Sequence, residues 1–188
     1  MLSLLAEHLE RAGDDAAAAN AYQDSLQQES DLYTSIAYSD LLLRTGQLAQ
    51  ALRVLANLPE TDAVLLRRAA AWRRSGDARW LELHGTLRER AAELLRRGDD
   101  PTLHGRERAL AALWLDDDAP GALVLARANL LLQREPVDWW LAITSARQAH
   151  DGAALAQLDA QIRAVGLHDV RLAPKSAAST ATALRGKP

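Results

Sequence analysis

Apolar and polar positions alternate along this chain with a helical period, and the stretch Leu41 to Pro59, LLLRTGQLAQALRVLANLP, shows it most clearly. It predicts the end of one helix, a tight turn at Thr45-Gly46, and a second helix stopped by Pro59. Leu48, Ala51, Leu52 and Leu55 fall on one face of that second helix. Gly46 supplies the left-handed backbone that ends the first helix at little cost.

The pattern recurs. It consists of a turn residue, a small residue five positions on, and a larger or second apolar residue four further. Gly13, Ala18 and Tyr22 repeat the offsets of Gly46, Ala51 and Leu55. A third copy turns at Ser75-Gly76-Asp77. A fourth turns through Asp116, Asp117 and Asp118, followed by Ala122 and Ala126. A fifth is expected to turn at Asp151-Gly152, followed by Ala156 and Ala160. The turns at 13, 46, 76, 117 and 151 are 33, 30, 41 and 34 residues apart. Pro59 accounts for the short step, and the unbroken run from Trp80 to Arg97 accounts for the long one. Departures of whole helical turns keep the apolar face in register.

These hairpins resemble the tetratricopeptide repeat, whose period is about 34 residues. In that family two helices pack antiparallel, and the small residue sits where they cross most closely. The resemblance implies an all-α, right-handed α-solenoid of about five hairpins over residues 1–169. A hairpin of this size cannot bury both apolar faces alone and stacks on its neighbours. Residues 170–188 are expected to be an extended or mobile tail, with Leu172-Ala173-Pro174 able to fold back on the last hairpin. Two segments, LARANLLLQREPVD at 125–138 and GLHDVRL at 166–172, resemble the carboxy-terminal repeats of a group of bacterial tetratricopeptide proteins. That likeness covers roughly residues 32–172 and implies a larger, exported parent. The chain itself shows no export signal, so it reads as cytoplasmic; as a fragment of such a parent it would be periplasmic.

Taken in order, Asp14 and Asp15 start the second helix, where carboxylates favour the helix dipole. Asp31 caps the third, with Leu32, Ile36 and Leu42 inward, and Thr61 opens the fifth. Asp77 opens a sixth with a stripe of Leu81, Leu83, Leu87, Ala91, Leu94 and Leu95. Gly98-Asp99-Asp100-Pro101 breaks the chain, and the seventh helix begins near Thr102. Pro120 suits the first turn of the eighth. Trp140, with Ile143 and Ala146, takes the large aromatic position of the last unit.

Composition narrows the picture. Apolar residues are 48% of the chain, with no Phe and one Met, so Ala and Leu carry the interior. Cysteine is absent, which removes disulfides, thiolate metal sites and cysteine nucleophiles. The net charge of −3 hides an asymmetry. Residues 1–63 hold three Arg against ten acids, whereas residues 64–108 hold eleven Arg against seven. Such charges serve either as solvated helix faces or as an anion-binding groove in the middle repeats. Phosphate-backbone binding wants a net basic footprint, so nucleic acid is not expected. No stretch reaches the length needed to span a membrane.

Catalytic and metal signatures are missing. The five histidines, His8, His84, His104, His150 and His168, include no i,i+4 pair. The Asp116–Asp118 run lacks the Gly and distal Glu of a calcium loop. No nucleophile elbow, phosphate loop or dinucleotide fingerprint occurs. No enzyme activity, cofactor or metal is expected.

In the family, the first helix of each hairpin lines the concave face. Projected onto this chain, that face holds Tyr33, Ile36, Asp40, Leu43 and Arg44, then Leu66, Arg67, Ala70, Arg73 and Arg74, then His104, Glu107, Arg108, Ala111 and Trp114. Tyr33, Asp40, Arg44, Arg67, Arg73, Arg74, His104, Arg108 and Trp114 are the candidate binding residues, since arginine beside an aromatic can hold a carboxylate while stacking. The Lys/Asn set with which some family members clamp a carboxyl terminus is not at the corresponding positions. The expected function is a non-enzymatic scaffold, monomeric or weakly oligomeric, that takes a peptide or protein partner. The alternatives are an architectural segment of a longer solenoid, or an enzyme or regulatory domain.

Overall fold

The structure, a computed structural model, describes residues 2–99 and 104–173. Among these residues it is all helical. In chain order the elements are α1 (Leu2–Ala12), α2 (Asp15–Gln28), α3 (Leu32–Arg44), α4 (Leu48–Leu55) and α5 (Asp62–Ser75). They continue with α6 (Trp80–Arg96), α7 (Gly105–Trp114), α8 (Ala119–Asn129), α9 (Pro136–Gln148) and α10 (Gly152–Val165), and end in a 3-10 turn, Val170–Leu172.

Local chemistry sets most of the boundaries. Asp14, Asp31, Thr61, Asp118 and Asp151 each accept a hydrogen bond from the amide three residues on, satisfying a donor that the first helical turn leaves orphaned. α9 begins instead with Pro136 and a reciprocal cap between Glu135 and Asp138. A left-handed residue precedes α2, α4, α8 and α10: Gly13, Gly46, Asp117 and His150. The fifth turn therefore pivots on His150, one residue before the expected Asp151-Gly152.

Consecutive helices pack as pairs, α1 on α2, α3 on α4, α5 on α6, α7 on α8 and α9 on α10. The first members also touch in series, α1 to α3 to α5 to α7 to α9. Small residues permit this closeness: Ala18, Ala51 and Ala122 have no exposed surface, and neither do Tyr22 and Leu55. Burying a side chain such as Leu55 contributes about 2 kcal/mol. Tyr22 stacks on Tyr38 across α2 and α3, with ring centroids 5.6 Å apart.

Four sequence expectations fail. α10 buries Ala154, Leu158 and Ile162, while Ala156 and Ala160 face solvent. Among the described residues α10 packs chiefly on α9, with one hydrogen bond from Arg127 of α8 to Gln157, so it lacks the second packed neighbour that sets the register of α2, α4 and α8. α6 begins at Trp80 rather than Asp77, buries no residue fully, and leaves Leu81 and Leu95 more than half exposed. It packs on α5 and, among the described residues, is not packed on α7 in the same way. Leu32 is exposed, and Tyr38 takes the interior instead. Trp139, not Trp140, is the buried aromatic of α9.

Part of the expected tail is ordered. Leu172 is buried, Arg147 donates to its carbonyl, and the 3-10 turn packs against both α9 and α1. The remainder of the tail, 174–188, and the expected helix start at Thr102 lie outside the described residues.

Candidate functional site

The arginine-rich middle is chiefly a set of ties between helices. Arg67 of α5 is 2% exposed and grips both oxygens of Asp40 on α3, at 2.9 and 2.8 Å. Arg106 of α7 does the same to Asp138 of α9, at 2.7 and 2.8 Å, and also reaches Glu135. Asn129 donates to the same buried Asp138. Arg44 of α3 holds Asp15 with two hydrogen bonds and Glu10 with one. Burial is the largest single influence on Arg44 and Arg106 and disfavours their cationic forms, but the hydrogen bonds and charges of Asp15 and Glu10, and of Asp138 and Glu135, together raise both pKa values. Such forks add geometric specificity to charge.

The acidic turn does more than start α8. Asp117 accepts two hydrogen bonds from Arg73, which also donates to the Trp114 carbonyl at 2.7 Å. Asp116 lies 2.8 Å from His84 Nε2, close but without hydrogen-bond alignment. Arg73 lies over the Trp80 ring, and Trp80 stacks on His84, so α5 and α6 are tied together at this turn.

The nine candidate residues do not form one site; they divide among three hollows. Tyr33, Asp40 and Arg67 border a small one of about 110 Å³ whose polar groups bond one another. There the Tyr33 hydroxyl donates to Glu7, and burial together with that carboxylate raises its pKa. His104 and Arg108 border a cleft of about 290 Å³ between α5, α6, α7 and α8. Asp40, Arg44, Arg73, Arg74 and Trp114 come together with Leu43, Leu113, Trp140, Thr144 and Gln148 around an open groove of about 600 Å³.

That groove is the candidate site. α3, α5, α7 and α9 each contribute to it, because these helices touch in series. Its aromatic wall is Trp114 against Trp140, edge to face with centroids 6.4 Å apart. Arg74 lies over Trp114 at 5.4 Å and donates to the Leu43 carbonyl at 3.0 Å. Comparison with protein-family models, curated proteins and solved structures finds no match to this chain. The site is therefore read from its own chemistry. Among the described residues no three His, Asp or Glu side chains converge as a metal site, and no helix is long and apolar enough to cross a membrane.

Leu113 and the α9 contribution, Trp140, Thr144 and Gln148, escaped the sequence reading. The signal was present for α9: the three are spaced by four residues on the first helix of the last unit. Assigning Trp140 to the interior hid it. Packing decides between Trp139 and Trp140, and adjacent tryptophans carry no local mark of which one faces in.

Proposed function

We propose that the chain is a non-enzymatic interaction module, a right-handed solenoid of tetratricopeptide-like hairpins that holds an extended peptide of a partner protein in the Trp114–Trp140 groove. What carries the reading is the composition of that groove. Paired indole faces, the arginines Arg44, Arg73 and Arg74, and the hydroxyl and amide of Thr144 and Gln148 lie on four successive first helices. Rigid helices present them, so a peptide would lose its own freedom without the wall also having to order. The chemistry is that of recognition: aromatic surface for apolar side chains and a few directed polar groups.

Site-specific photo-crosslinking tests it. A benzophenone side chain replaces exposed Gln148 in the groove, and separately replaces exposed Val124 on α8, away from it. The expected result is one reproducible partner peptide attached at 148, absent at 124, and lost when Trp140→Ala is added. Equal labelling at both positions refutes the groove.

A second reading, an architectural segment that stacks on further repeats, draws on Leu4 and Leu5 of α1, which are 65% and 48% exposed. It predicts that Leu4→Ser with Leu5→Ser changes self-association or stacking and leaves crosslinking at 148 unchanged.

A further inference from the structure

The charges around the groove cancel almost completely. Arg44 is neutralised by Asp15 and Glu10, Arg73 by Asp117, and Asp40 by Arg67. The Arg44–Asp15, Arg73–Asp117 and Arg67–Asp40 pairs are each two parallel hydrogen bonds, so these charges already have matched partners within the fold. Arg74 is different. Among the described residues no carboxylate pairs with it; its contacts are the Leu43 carbonyl and the Trp114 ring. Desolvation by the groove wall lowers its pKa, and the charge of Asp40, already spent on Arg67, offsets this only in part. A guanidinium has five N–H donors, and the Leu43 carbonyl takes one of them.

Building on the peptide-groove reading, we infer that Arg74 is a receptor for an internal Asp or Glu side chain of the bound peptide, with the neighbouring apolar residue seated on Trp114 and Trp140. Charge complementarity carries the assignment: the groove holds one unmatched cation, and a single carboxylate completes it. The indole already flanking the guanidinium orders it for a second, planar partner. The carboxylate belongs to a side chain, not a chain end, because the lining continues on both sides of Arg74. Leu43 and Arg44 stand on α3, which touches one side of α5, and Trp114, Trp140, Thr144 and Gln148 stand on α7 and α9, which continue from its other side. A peptide terminating at Arg74 would leave one half of the groove empty.

Three probes separate the possibilities: N-acetyl-Glu-Leu-amide, N-acetyl-Gln-Leu-amide and N-acetyl-Gln-Leu free acid. Each is titrated into the isotope-labelled full chain while the indole N–H signals of Trp114 and Trp140 and the Nε–H signal of Arg74 are followed by NMR. The Glu-Leu amide is expected to shift these signals and to bind about tenfold or more tightly than the Gln-Leu amide, as befits a charge-assisted hydrogen bond. Arg74→Gln abolishes that preference, and Arg74→Lys, which keeps the charge, retains most of it. Equal binding of the two amides overturns the carboxylate receptor while leaving the peptide groove standing. Tighter binding of the free acid overturns the side-chain assignment in favour of a chain end. If no probe moves the groove signals, the inference fails, and crosslinking at position 148 judges the groove independently.

Discussion

Asp138 illustrates what single residues contribute here. It has 1% of its surface exposed, yet it accepts from Arg106, Asn129 and the Glu135 amide. A buried charge is tolerated only when paired and hydrogen-bonded in this way, and removing one partner of such a pair costs about 3–5 kcal/mol. Its location makes the same residue both helix cap and inter-helix tie. Asp15 is a more exposed relative of this arrangement. The hydrogen bond from Arg44 is the largest influence on its carboxyl and, against some desolvation, holds its pKa below the ordinary aspartate value. A carboxyl whose folded pKa is depressed binds its proton more readily in the unfolded chain. Its stabilisation is therefore fully present above about pH 4 and is lost as pH falls through the lower folded value. Thermal melts between pH 5 and pH 2 are expected to show a shallower acid loss for Asp15→Asn than for the parent chain. Identical acid limbs would show that the Arg44 contact does not persist in solution.

Among the elements, α6 stands apart. Its neighbours α5 and α7 each bury several side chains, while α6 buries none, and Leu83, Leu87, Ala91 and Leu94 are only partly covered. Its polar contacts are mostly at the surface: Arg90 reaches Asp62 and the Glu60 carbonyl, and Glu93 pairs with Arg96 and Arg97 at its own end. Exposed pairs of this kind are each worth roughly 1 kcal/mol or less. Few buried contacts mean a low free energy of local opening. Hydrogen–deuterium exchange is expected to run faster along Glu82–Leu95 than along α3, α5 or α9, whose inner faces are covered. Protection of α6 equal to that of α5 would show that it is held by more than these contacts. The stripe read in the sequence is only partly covered, Leu83 and Leu87 packing against the core while Leu81 and Leu95 stay exposed, because periodicity reports which face is apolar and says nothing of how far a neighbour covers it.

At the level of the whole molecule, the carboxy-terminal turn returns to the first helix. Arg171 donates to Glu10, 161 residues away in the sequence, at 2.6 Å, and is itself held by Asp169. Glu10 in turn receives Arg44 and the Tyr22 hydroxyl. Val170 rests against Gly13, where an added Cβ would lie 3.0 Å from its methyl group on a backbone already left-handed at φ +88°. Arg171→Ala would leave the buried Glu10 short of a partner, with an expected loss on the order of 3 kcal/mol in urea unfolding. The α1 amides should lose protection first; unaltered α1 exchange would refute the tie. The sequence by itself determined the all-helical class, the turns at Gly13, Gly46 and Asp117, the aspartates that start α2 and cap α3, and the buried small residues Ala18, Ala51 and Ala122. Those are local matters, fixed by backbone sterics, orphaned amides and the helical period within one turn or one hairpin. Tertiary structure alone decided that α10 slips its register, that Trp140 faces the groove while Trp139 turns in, and that Arg67 and Arg73 are consumed as ties while Arg74 is left over. Whether a charge is spent depends on which residue the fold brings opposite it, and no local pattern of the chain contains that partner.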